Sequence, residues 1–284
     1  MGEEEDSQAH ATAQYNIGRS QKLYVPIPTF LQKNEGDPAI KASSPFLFLP
    51  RPETNIPVQN FLPMLHAHLL PRIQNALREE VEVLPAHLRV QAAFNLESFD
   101  PNSNMSSFLI LKEDRLYTHK VIRFNFTSYD VRRGTDVVNT GTSRCNIMLL
   151  ADDVDSMISS STHHFLYARV IGAYHANVIY IGPGMRDYRP RRFDFLWVRW
   201  FKLVKPAASG WTTLTLDAVS FPPMNQDTSF GFVDPKDVLR GCHILPAFAK
   251  GEQHKDGVGI SRCAKDGKDY KMYYVGRYGL VMLC

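Results

Sequence analysis

Apolar and polar positions alternate through most of the last two thirds of the chain, and that alternation predicts strands. In Lys120–Thr127, Ile122, Phe124 and Phe126 alternate with Arg123, Asn125 and Thr127, the period of a half-buried strand. Cys145–Leu150 is a continuous apolar run, which suits a strand covered on both faces. Leu166–Ile181 holds two β-rich runs with Gly172 between them as the expected bulge or bend. Phe193–Phe201 places Phe193, Phe195, Trp197 and Phe201 on one side and Leu196, Val198 and Trp200 on the other. Large apolar groups on both faces put that strand in the middle of a sheet. Ser107–Leu111, Thr212–Phe221, Cys242–Phe248 and Tyr270–Val275 complete the predicted strands.

Two segments carry helical signals instead. From Asn60 to Val83, Leu62, Leu65, Leu69, Ile73 and Leu77 repeat at helical spacing; Asn60 serves as cap, and Pro63 falls in the first turn. Pro71 inside that stripe is expected to kink or divide the helix. Asp234, Pro235 and Asp237 open a short helix that Gly241 stops. Residues 1–59 show no sustained period. Within them Ala42–Gln59, with Pro45, Pro50, Pro52 and Pro57, excludes a helix and makes a poor strand. The expected organisation is a weakly ordered segment 1–59, a helical extension 60–104, a β-rich domain 105–275 and an irregular tail 276–284. The fold class is mainly β, α+β overall: a small, partly open β-barrel with a helical N-terminal extension.

Composition narrows the function classes. The chain has 284 residues, 44% hydrophobic and 21% charged, which excludes a wholly disordered, collagenous or coiled-coil chain. No apolar run reaches the roughly 18 residues of a membrane span. The acidic start Glu3–Asp6 is unlike a signal peptide, and Cys145, Cys242, Cys263 and Cys284 show no paired spacing. A nuclear or cytoplasmic, non-secreted protein with free thiols is expected.

The formal net charge of +3 is too small to mark a nucleic-acid binder in bulk. Locally the balance differs. Arg186–Lys202 carries six cations against Asp187 and Asp194, with Tyr188, Phe193, Trp197 and Trp200 interleaved. Arg132 and Arg133 add a second basic point after Tyr129. Arginine beside aromatic rings grips phosphates and stacks on bases or methylated side chains. Arg132, Arg133, Arg186, Tyr188, Arg189, Arg191 and Arg192 are therefore the candidate contacts for DNA or a chromatin protein.

Other constellations are weaker. His163, His164 and His175 lack companions at zinc-ligand spacing, and His66 and His68 point to different helix faces. Asp152, Asp153 and Asp155 follow a strand, as metal-binding carboxylates of nucleases do, but supporting helical carboxylates are missing. No phosphate-binding loop, nucleophile elbow or zinc-protease motif occurs. No catalytic residue, metal or cofactor is assigned.

Four stretches carry a resemblance: Tyr129–Arg133, Tyr167–Gly172, Asp194–Phe201, and Phe230–Pro235 leading into Cys242–Phe248. In order and spacing they resemble a protein group of mushroom-forming fungi, over roughly residues 60–275. Members often form the C-terminal region of open reading frames of Kyakuja-Dileera-Zisupton and Plavaka type transposons. The layout from Tyr167 through Asp234–Pro246 is also similar to that of bromo-adjacent homology domains, β-rich modules that bind partners on chromatin. These likenesses imply a transposon-derived, non-catalytic binding module. The alternatives are a remnant of a metal-dependent transposase or nuclease using Asp152, Asp153 and Asp155, and a decayed gene product without activity. Ala42–Gln59 and Gly276–Cys284 depart from the group's pattern and are expected to be translated non-coding sequence.

Overall fold

The computed structural model of the chain describes residues 14–41, 61–82, 108–127, 133–151, 165–183, 185, 187–204, 216–226 and 228–276. In chain order these form β1 (Tyr15–Ile17), β2 (Tyr24–Pro26), α1 (Ile27–Lys33), α2 (Pro38–Lys41) and α3 (Phe61–Glu82). There follow β3 (Leu109–Leu111), β4 (Arg115–His119), β5 (Val121–Thr127), β6 (Arg133–Asn139), β7 (Asn146–Leu150) and β8 (Phe165–Tyr180). The series closes with β9 (Arg191–Trp200), β10 (Lys202–Leu203), β11 (Ala218–Ser220), β12 (Phe230–Val233), β13 (Val238–Gly241), β14 (His243–Pro246) and β15 (Tyr273–Gly276). The protein is mainly β, with three helices among the described residues.

The spine is the 16-residue strand β8. One edge pairs antiparallel with β9 from Ala168↔Trp200 to Val178↔Arg191. The other edge is taken in turn by β7, β4 and β3. β12 extends the sheet beyond β9, β2 beyond β4 and β13 beyond β7, giving eight strands. A three-stranded sheet β1-β5-β6 and a four-stranded sheet β10-β11-β15-β14 complete the architecture. Among the described residues no sheet closes into a barrel. One edge of β8 is shared by three short strands, so the sheet branches there instead of curling onto a single closing strand.

The register of β8 shifts between Val170 and Gly172, where the sequence placed a bulge. A Cβ on Gly172 would lie 2.4 Å from the Tyr174 ring, so glycine is required there by close approach. β9 separates two cores, as its two apolar faces predict. Phe193, Phe195 and Trp197 join Phe61, Leu65, Leu69, Ile73 and Leu77 of α3, while Leu196 and Val198 join Ile122, Phe124, Ile147 and Val170. A third cluster gathers Met148, Tyr167, Phe201, Val219, Tyr273 and Val275. Phe201 thus leaves its strand neighbours, because β9 ends at Trp200.

α3 is no appendage: its apolar stripe, Phe61, Leu65, Leu69, Ile73 and Leu77, packs into the largest core. The helix also runs unbroken through Pro71, which sits on the exposed face, where a missing hydrogen bond is made good by water. Residues 14–41, expected to be weakly ordered, instead supply two strands and two helices, with Ile17, Ile27, Leu31, Ala39 and Ile40 buried. Elements of three to seven residues are too short for a period to be read. The expected helix at Asp234 is a single 3-10 turn, Pro235–Asp237, capped by the Asp234 carboxylate accepting from the Lys236 N–H at 3.0 Å. Val238 then enters β13 opposite Leu149, so strand pairing overrides further helix. The Pro-rich stretch 42–59, residues 83–104 and the tail from 277 lie outside the described residues.

Candidate functional site

The predicted basic patch divides on inspection. Arg132 and Arg186 lie outside the described residues, as do Asp152, Asp153, Asp155, His163 and His164. Tyr188 is 69% exposed, and Arg189 is exposed beside it. Arg191 forms a two-pronged bond to Glu80 of α3, Nε to Oε1 at 2.8 Å and Nη2 to Oε2 at 2.7 Å, and also donates to Asp187 at 3.0 Å. The Glu80 hydrogen bonds are the main cause of the raised Arg191 pKa. Arg192 donates to Asp194 at 2.8 Å and to the Gly18 carbonyl at 2.9 Å. These two arginines bolt α3 and the segment after β1 onto the start of β9.

Of the interleaved aromatics, Phe193 and Trp197 are core, and Trp200 is half-buried against the second core. Arg133 is exposed at the start of β6, paired with Thr127. Ile17, next to Gly18, pairs with Ile122, so the β5 backbone points beside Gly18 and Arg133 are roughly 17–20 Å apart. The two basic points do not meet. Glu80→Gln is expected to lower unfolding free energy by less than about 1 kcal/mol, since Glu80 is half-exposed. Urea unfolding measures it; a loss of several kcal/mol would show that this bolt is a main support.

A second region combines burial, charge and a cavity. A cleft of about 410 Å³ is lined by Arg199, Phe221, Met224, His254, Asp266, Asp269 and Lys271, among others. Arg199 comes from the end of β9, Phe221 and Met224 from the loop after β11, and the rest from loop 251–271. That loop is closed at its base by the Gln253 N–H donating to the Asp269 carbonyl at 2.6 Å and the Lys271 N–H to that of Gly251 at 3.2 Å. Inside it, the Asp266 carboxylate accepts from the Ile260 and Ser261 N–H groups, both at 3.1 Å, and lies 3.3 Å from His254 Nε2. Asp37 clamps the loop from outside. It accepts from the Ser261 hydroxyl at 2.6 Å and from the Arg262 and Cys263 N–H groups at 2.9 and 3.2 Å. The Asp37 carboxylate also accepts from the Ala39 N–H at 2.9 Å, which fixes α2 and Pro38 at the cleft wall.

The floor holds two guanidinium groups and one shared carboxylate. Arg169 Nη1 reaches Asp269 Oδ1 at 2.6 Å, and Arg199 Nη1 reaches Oδ2 at 2.7 Å. Tyr273 donates its hydroxyl to Asp269 at 3.1 Å. Phe221 lies against both cations, 4.4 Å from Arg169 Cζ and 4.0 Å from Arg199 Cζ. Arg199 is only 6% exposed and Asp269 3%. Burial is the largest influence on both arginines. At Arg169 the Asp269 charge, the Tyr273 hydroxyl and the Asp269 hydrogen bond together outweigh it and the pKa ends raised; at Arg199 burial prevails and the pKa ends lowered. The two arginines, one buried and one part-buried, share this carboxylate, and the Asp266 charge acts on Arg199 as well.

The outside of loop 251–271 is also basic. Lys255, Arg262, Lys265, Lys268 and Lys271 are exposed, with Lys250 just before them, against exposed Glu252 and Asp256. The other two acids of the stretch, Asp266 and Asp269, are turned inward. The sequence reading missed this surface, whose signal was six cations within 22 residues. Phe248, 72% exposed, packs edge-on to Tyr270 at 5.3 Å beside the same loop.

Other reactive groups do not converge. Among the described residues no three His, Cys, Asp or Glu side chains are placed to hold a metal ion. Burial raises the Cys145 and Cys242 thiols, and burial with Asp37 pushes Cys263 up to about 12, so all three are protonated at neutral pH. No helix among the described residues is long and apolar enough to cross a membrane. Comparison with protein-family models, curated proteins and solved structures found no match to this chain.

Proposed function

We propose that this chain is a non-catalytic binding module for DNA, with loop 251–271 and the cleft beside it as the contact face. The observation that carries this reading is the sorting of charge on the loop: its cations are exposed while Asp266 and Asp269 are buried. Exposed lysines on a shaped loop neutralise phosphates and release counterions, which supplies affinity without sequence readout. Tyr188 and Arg189 remain exposed as secondary contacts, whereas Arg191 and Arg192 serve the fold. The resemblance to transposon-borne fungal proteins and the bromo-adjacent homology-like layout belong to the same proposal, since both imply a partner on DNA or chromatin.

A mobility-shift titration of duplex DNA against salt tests it. The expected result is a retarded complex whose affinity falls steeply between 50 and 200 mM salt, as phosphate contacts require. Lys265→Glu with Lys268→Glu should weaken binding at least tenfold and flatten the salt dependence by about two phosphate contacts. No complex at low salt would overturn the DNA reading. Salt-dependent binding of an acidic chromatin peptide instead would move the contact to a protein.

A further inference from the structure

We propose that the floor of the cleft is a site for a single oxyanion group, a carboxylate or a phosphate, received by Arg199. The cleft has the volume of a small-ligand site, about 410 Å³, and sets an apolar wall (Phe221, Pro222, Pro223 and Met224) against a polar one that holds Arg199, Asp269 and Lys271. A concave site with convergent polar groups is one that receives and orients a ligand. Its most buried cation is incompletely paired. Arg199 uses Nη1 on Asp269, but its Nε–H is buried with no hydrogen-bond partner among the described residues. A buried charged donor left without an acceptor is costly, and such groups in a native fold call for an explanation.

Asp269 cannot serve that donor: it is shared with Arg169 and also accepts from Tyr273, so its two oxygens are already committed. Asp266, the second carboxylate at the cleft, accepts from the Ile260 and Ser261 N–H groups. The Phe221 ring closes one side of the site against both guanidiniums. An oxyanion against Arg199 would accept from the orphaned donor. Guanidinium geometry suits planar carboxylate and phosphate edges alike. Lys271, exposed at the cleft, adds a second cation for the same group. Arg199 is held for this role rather than for stability: with Arg169 and Tyr273 in place, Asp269 stays paired without it.

This site deepens the DNA-binding proposal by naming a pocket on the same face, but its chemistry is tested separately. Thermal unfolding of the full chain is measured in inorganic phosphate, in acetate and in chloride, all at one ionic strength. Phosphate, acetate or both should raise Tm above the chloride value by several degrees at saturation. A rise in phosphate alone assigns a phosphate source, and a rise in acetate alone a carboxylate source. Arg199→Met should abolish that rise while unfolding in chloride at or above the wild-type Tm. Lys271→Ala, at an exposed position, should weaken the anion response several-fold with the chloride Tm unchanged. The proposal is overturned if neither anion raises the wild-type Tm above chloride, or if the rise persists in Arg199→Met. A failure of Arg199→Met to fold also overturns it, because the arginine would then be structural. Loss of DNA retardation with the anion response intact sinks only the DNA reading.

Discussion

Asp269→Asn is expected to lower the unfolding free energy by roughly 4 kcal/mol. The carboxylate is 3% exposed and is the hydrogen-bonded counter-ion of both Arg169 and Arg199. Asparagine keeps the volume, so no cavity adds to the cost. What remains is the buried Arg199 guanidinium and the part-buried Arg169 guanidinium with their shared anion gone. Breaking a buried pair from one side costs about 3–5 kcal/mol because the stranded charge is uncompensated. Here one substitution strands two, and the Tyr273 hydroxyl loses its ionic acceptor as well. A second change sharpens the test. Adding Arg199→Met to Asp269→Asn removes one of the stranded charges and should restore about 2 kcal/mol, so the two changes are strongly non-additive. Urea unfolding of the four proteins closes the cycle. A single-mutant loss below about 1 kcal/mol would mean that water already serves these cations, and the account of the cleft floor would fail.

The same cleft marks where sequence reading stops. β9 was legible because ten residues with apolar groups on both faces fit only a central strand. α3 was legible from one stripe that repeats over about four turns, and the β8 bulge from a glycine between two β-rich runs. The cleft has no such signature. Pro38, Arg199, Phe221 and Asp266 come from four distant segments and meet only through strand pairing and the Asp37 clamp. Arg199 looked like one more member of a basic run, yet its place on a central strand buries it. Loop 251–271 shows the converse. Its four acids offset six nearby cations in the linear count, and only the inward turn of Asp266 and Asp269 uncovers a positive surface. Charge read along a chain averages groups that folding sorts to opposite sides.

His175 illustrates the same limit, and it carries the second large effect. The sequence grouped it with His163 and His164, whereas the β4–β8 ladder sets it opposite Tyr117 and brings its ring to that of His119. The rings stack with centroids 5.0 Å apart, and His119 Nε2 lies 2.7 Å from His175 Nδ1. Tyr117 covers the other face of His175 at 4.5 Å. Burial, then the Arg192 charge and then His119 lower the His175 pKa to about 3. His68 on α3 is likewise lowered to about 3, by burial and then by the neighbouring Arg72. Both are therefore neutral in the fold, while the unfolded chain takes up their protons near pH 6.5. Stability from these groups is full above about pH 6.5 and is lost as pH falls toward 3, because the unfolded state then binds more protons. At pH 5 each histidine lies about 1.5 pH units below its unfolded pKa, which corresponds to roughly 2 kcal/mol apiece. The pair removes about 4 kcal/mol from a total that is typically 5–15. Urea midpoints at pH 7.5 and 5.0 should differ accordingly, and His68→Gln should halve the difference while leaving an acceptor for Arg72. His119, lowered by burial and Arg192, adds to the loss in the same direction. A midpoint unchanged between the two pH values would show that both rings reach solvent and protonate without opening the fold. The stacked pair would then no longer account for the buried His175 Nε2, which has no hydrogen-bond partner among the described residues.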